Sequence, residues 1–120
     1  MPTMPELPLR LLNSAQCDLE RIALLHRNYC GVESARNITN ALLDRIEHLT
    51  RFPHMGFALP DNELQSRGYR GLVCDRRFLC VYRVIDGTLF VYRVIDTRSD
   101  YRCLFRALPL HDDSNEGDVA

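Results

Sequence analysis

The sequence predicts an α+β fold in the order β-α-α-β-β-β, with a helical hairpin packed on one face of a mostly antiparallel twisted sheet. Two long stretches of helical periodicity meet at a single glycine, Gly31. Three runs of strand-like composition follow them, separated by two-residue turn signals. The chain has 120 residues, 46% of them hydrophobic, which suits one globular core.

The elements follow from local pattern. Leu7, Leu9 and Leu11 alternate with Pro8, Arg10 and Leu12, the period of a short strand, and Pro8 puts it at a sheet edge or at its own start. Ser14 is the expected cap of a first helix, whose stripe is Ala15, Leu19, Ile22, Ala23, His26 and Tyr29. Gly31 is the expected stop. A second helix is expected over residues 33–51, with Ala35, Ile38, Leu42, Ile46 and Leu49 inward, ended by Pro53. Residues 54–68 show no clear period, and Pro60-Asp61-Asn62 marks a turn. Strands are expected at 69–74, 77–85 and 88–95, with a tight turn at Asp75-Arg76 and a short last helix at 98–108. The domain is expected to end at residue 108, followed by a flexible acidic tail, PLHDDSNEGDVA, at 109–120.

The hexamer VYRVID occurs twice, at 81–86 and 91–96. The offset is too short for a repeat architecture, whose units run to about 20 to 50 residues. Two neighbouring strands of one hairpin, packed on the same helices, are the simpler reading. The turn decides where Arg83 and Arg93 point. A two-residue turn at Asp86-Gly87 pairs Arg83 with Phe90 and puts the two arginines on opposite faces. A three-residue loop shifts the register by one and puts them on the same face. The second register gathers Cys80, Tyr82, Val84, Phe90, Tyr92 and Val94 into one apolar face, which favours it.

Composition narrows the function. No apolar run reaches the roughly 18 residues of a membrane span. The N-terminal stretch lacks a secretory pattern, so a cytoplasmic protein is expected. Five cysteines without a C-x-x-C pair signal neither a disulfide framework nor a zinc site, and no metal or organic cofactor is expected. Residues 67–106 hold nine Arg and four Asp, a sum of +5, whereas residues 107–120 hold four acids and no Arg, a sum of −4. All fifteen basic residues are Arg, planar forks suited to phosphate or carboxylate, and no lysine amine is present for proton transfer.

GYRGLV at 68–73, FLCVYRVID at 78–86 and VYRVIDTRSDY at 91–101 resemble the core of RelE/ParE-type toxins of bacterial type II toxin–antitoxin modules. The helical hairpin and FPHMG at 52–56 fit the same resemblance, which covers roughly residues 7–106. It implies a growth-inhibiting, plasmid-stabilising toxin held by a cognate antitoxin, and it leaves two targets open. RelE-like members cut mRNA on the ribosome, and ParE-like members poison DNA gyrase. RelE-like sequences carry an Arg just before the Val-Tyr pair of the third-strand stretch, where this chain has Leu79. Action on gyrase is therefore the favoured reading, with Arg76, Arg83, Arg93 and Arg98 as target-binding cations. The alternative is a ribosome-dependent endoribonuclease using Arg70, Arg77 and Arg98 as cations and Tyr101 as acid, base or stacking group, with His54 as a further candidate. A second alternative is a degenerate, non-toxic binding module.

Overall fold

The structure, a computed structural model, describes residues 6–98. The helix expected at 98–108, the tail at 109–120 and Tyr101 lie outside those residues.

The chain opens with β1 (Leu9–Leu11), runs through α1 (Asn13–Cys30) and α2 (Val32–Arg51), and then forms β2 (Phe57–Ala58) and α3 (Asn62–Ser66). It continues into β3 (Arg70–Cys74), β4 (Phe78–Ile85) and β5 (Thr88–Asp96). The five strands form one mixed sheet in the order β1-β5-β4-β3-β2. β1 runs parallel to β5, and the other neighbours are antiparallel.

Gly31 alone joins α1 to α2, at φ 96° and ψ 167°. Only glycine enters this region without strain, which is why the joint can be so short. Leu12, and not Ser14, is the residue that precedes α1, and no side chain caps the helix there. α3 is capped by Asp61, whose Oδ1 accepts from the N–H groups of Glu63 and Leu64, both at 3.0 Å.

α1 and α2 pack on one sheet face. Ala15, Leu19 and Ile22 of α1 and Ile38, Leu42, Ile46 and Leu49 of α2 meet Leu72, Cys80, Tyr82, Leu89, Val91 and Val94. Leu42, Ile46 and Leu49 are fully buried, each worth about 2 kcal/mol of transfer free energy. The stripe expected on α1 ends early. Ile22 is buried, but Tyr29 is 84% exposed.

The second sheet face is apolar as well. Leu79, Val81, Phe90, Tyr92 and Ile95 cluster there with Leu12, Leu59, Leu64 and Tyr69. The segment from β2 through α3, which has no sequence period, thus supplies core residues.

The hairpin register differs from the favoured expectation. Asp86 (φ 51°) and Gly87 (φ 75°) form a two-residue turn, so Ile85 pairs with Thr88 and Arg83 with Phe90. The register then slips between Val81 and Tyr82, so Arg93 stands opposite Val81, with Tyr92 as the extra residue. As a result the two hexamers do not do the same job. Val81 and Tyr92 belong to the second-face cluster, whereas Tyr82 and Val91 pack against the helices.

Candidate functional site: a cation-rimmed groove beside the first helix

Asp18 lies inside the buried stripe of α1 and is 4% exposed. A carboxylate so placed must be paired. β1 ends at Leu11, opposite Val91, so among the described residues the edge of β5 beyond that point has no strand neighbour. Asp18 takes that place. Its Oδ2 accepts the Val94 N–H at 3.0 Å. Arg93 completes the link with a bidentate pair, Nε to Oδ2 at 2.7 Å and Nη2 to Oδ1 at 2.9 Å. The hydrogen bond to Asp18 is the main reason the Arg93 guanidinium is pushed above its ordinary pKa.

A second carboxylate, Asp96, closes the end of β5. It accepts from Arg98 Nε at 3.2 Å, Arg98 Nη2 at 3.0 Å and the Arg98 N–H at 2.9 Å. The Arg98 side-chain hydrogen bonds are the largest cause that holds Asp96 below the usual carboxylate range. Arg77 Nε lies 3.8 Å from Asp96 Oδ2, too far for a hydrogen bond, and its guanidinium sits 4.8 Å from the centre of the Phe78 ring.

Between these two ion pairs and α1 lies a groove of about 420 Å³. Ile22, Phe78 and Val94 give it apolar walls, and Arg21, Arg77, Arg93 and Arg98 give it a cationic rim. His26, Tyr29 and Cys30 line its far end. Leu25 lines it too, and the exposed apolar surface of Leu25 and Tyr29 is joined by exposed Leu24 on α1 and Val32 at the start of α2, both outside the lining.

The groove gathers some of the expected site residues and leaves others elsewhere. Arg77, Arg93 and Arg98 meet there. Arg70 does not. It lies on β3 and donates through Nη2 to the carbonyls of His54, at 3.2 Å, and Gly56. With Tyr82, whose hydroxyl donates to Pro53 O at 2.7 Å and accepts from Gly56 N–H at 3.1 Å, it clasps the FPHMG loop. A Cβ on Gly56 would stand 2.5 Å from Gly71 O and 2.6 Å from the Tyr82 hydroxyl, so the clasp requires glycine. His54 is exposed on this loop and gives Arg70 its backbone carbonyl.

Arg83 is 1% exposed. Its Nε donates to the Tyr92 hydroxyl at 2.8 Å, and its guanidinium lies 4.5 Å from the Tyr69 ring centre. That burial removes it from the described surface. Arg76 is exposed at the β3–β4 turn, outside the groove lining.

Sequence reasoning missed the α1 side of the groove. A signal was present: Asp18 falls between Ala15 and Ile22 in an apolar stripe, in a chain whose only full cations are arginines. Of the described cysteines, Cys17 and Cys30 are exposed and Cys74 and Cys80 are buried. Burial pushes the Cys74 thiol up to about 11 and raises Cys80 as well, so neither is a nucleophile near neutral pH. Among the described residues no group of three or more metal-ligating side chains occurs, and no helix is long and apolar enough to cross a membrane.

The fold has relatives of known structure. The chromosomal ParDE toxin–antitoxin system from P. aeruginosa includes a chain with TM-score 0.65 and 21% identity, the match covering 79% of this chain and 98% of that one. The toxin–antitoxin complex RelBE2 from Mycobacterium tuberculosis gives TM-score 0.59 and 19% identity, over 80% of this chain and 97% of that one. At such identities the likeness establishes the fold. A comparison with curated proteins finds no match. The family described as the ParE toxin of the type II toxin–antitoxin system, parDE, matches residues 9–101. With that match spanning the sheet, the helical hairpin and the groove, the chain belongs to the ParE toxin family, within the RelE/ParE superfamily of type II toxins.

Proposed function

We propose that this protein inhibits growth by protein contact with DNA gyrase in the cytoplasm, and that a cognate antitoxin holds it inactive. One observation carries the choice of target. Two of the three arginines that a phosphodiester-cleaving site would use are hydrogen-bonded internally, Arg70 to the loop carbonyls and Arg98 to Asp96, and the third, Arg77, lies over the Phe78 ring 3.8 Å from Asp96. Leu79, at the position where RelE-like sequences carry Arg, is 4% exposed within the second-face cluster. Cleavage needs cations free to meet charge developing on phosphorus, and guanidiniums fixed on carboxylates or carbonyls suit a shaped contact surface better.

The antitoxin reading is supported by both structural neighbours, whose names describe a toxin–antitoxin system and a toxin–antitoxin complex. The surface best suited to it is the exposed C-terminal part of α1 with the start of α2, which adjoins the groove. Leu24, Leu25, Tyr29 and Val32 are 48–84% exposed there, an apolar stripe that an amphipathic helix could cover.

The test uses purified full-length chain with gyrase and relaxed plasmid. The expected result is loss of supercoiling or a trapped cleavage complex, reversed by antitoxin. Untouched gyrase activity, with mRNA cut on translating ribosomes, would overturn the reading. That ribosome-dependent endonuclease is the second reading, favoured by the convergence of Arg21, Arg77 and Arg98 on one rim. It requires Arg98→Ala to relieve arrest while fold and antitoxin binding persist.

A further inference from the structure

The geometry points to the groove beside α1 as the docking site for the chain's own acidic C-terminal segment, residues 109–120, seated there when no partner is bound. The groove carries four arginines, Arg21, Arg77, Arg93 and Arg98, and two carboxylates, Asp18 and Asp96. The formal sum is 4 − 2 = +2, above apolar walls. The C-terminal segment is its complement. It carries Asp112, Asp113, Glu116 and Asp118 with no Arg or Lys, and places Leu110 and Val119 at its two ends.

Connectivity strengthens the match. The described chain ends at Arg98, which is itself part of the rim, so the remaining residues start at the groove mouth. Asp112 lies fourteen positions beyond Arg98, and a chain of that length reaches up to roughly 46 Å. A segment tethered so closely has an effective concentration on the order of millimolar. Contacts between exposed charges, each weak when free, then suffice for high occupancy, and they weaken as salt shortens the Debye length. The inference requires neither gyrase nor an antitoxin. It adds that any partner entering the groove must first displace an intramolecular competitor.

Two exposed thiols among the described residues provide an internal reporter. Cys30 lines the groove, whereas Cys17 is exposed on α1 outside it. The full-length chain is pulsed with N-ethylmaleimide, and the Cys30 to Cys17 labelling ratio is read by peptide mass spectrometry. It is compared with the full-length Asp112→Asn, Asp113→Asn, Glu116→Gln, Asp118→Asn variant. At low salt the variant is expected to label Cys30 about threefold faster relative to Cys17, the change for a site two-thirds occupied in the parent chain. High salt should bring the parent chain to the variant's ratio. A ratio indifferent to tail charge and to salt would overturn the inference. Protection that rises with protein concentration but ignores tail charge would overturn it too, assigning the groove to a second copy. Should the fourfold variant fold poorly, Arg21→Gln with Arg98→Gln removes the other half of the attraction and must give the same change.

Discussion

Arg83 and Arg93 hold the same place in two copies of one hexamer and have opposite environments. Arg83 is buried against Tyr69 and Tyr92. Arg93 reaches the other way, to Asp18. Asp18 keeps only 5% of its side-chain surface, so removing its partner strands a carboxylate. Arg93→Ala is therefore expected to destabilise the protein by about 3 kcal/mol, measured by urea denaturation. Adding Asp18→Leu to that variant should recover part of the loss, because the unpaired charge goes with it. Asp96 makes a pH-dependent contribution of definite sign. Its folded pKa lies below the ordinary 3.8. The stability it contributes is thus fully present above that ordinary value and is lost as pH falls through the folded one. Carboxyl NMR titration should place Asp96 below 3.8 in the parent chain and return it toward 3.8 in Arg98→Ala.

At the level of elements, the long periodic ones were legible and the short ones were not. α2 follows its Ile38, Leu42, Ile46 and Leu49 stripe closely. β2 has two residues and α3 has five, too few to show a period, and tertiary burial of Leu59 and Leu64 fixes them instead. The β4–β5 register shows which local signal was the stronger. Asp-Gly turn chemistry prevailed over the argument from a single apolar face, because both faces of the sheet are buried and the apolar count could not discriminate. The slip between Val81 and Tyr82 has no signature in composition. The β3–β4 turn carries a cost of its own, since Asp75 (φ 49°) and Arg76 (φ 64°) are both left-handed without being glycine. Arg76→Gly should relieve strain of roughly 1–3 kcal/mol against a glycine entropy cost of about 0.5–1 kcal/mol. A net gain near 1 kcal/mol is expected, read as a higher urea midpoint at unchanged m-value.

Across the whole molecule, fold class was readable because helix pair and strands follow one another in sequence and neighbour one another in space. The candidate site was half readable. Arg77, Arg93 and Arg98 come from the strand-rich half, where clustered arginine drew attention. Arg21, His26 and Asp18 come from a helix some 70 residues away in sequence, and only the packing of α1 across the end of β5 unites the two sets. The helical hairpin that makes this possible turns on Gly31. A Cβ added there would meet nothing within 4 Å, so space is not what excludes other residues. The exclusion is one of handedness. At φ 96° an L-alanine is strained, whereas its mirror image, D-alanine, would adopt the same backbone freely. A single α-carbon without chirality is thus what lets two right-handed helices meet across one residue, and a synthetic chain with D-alanine at that site would keep the joint that an L-residue would deform.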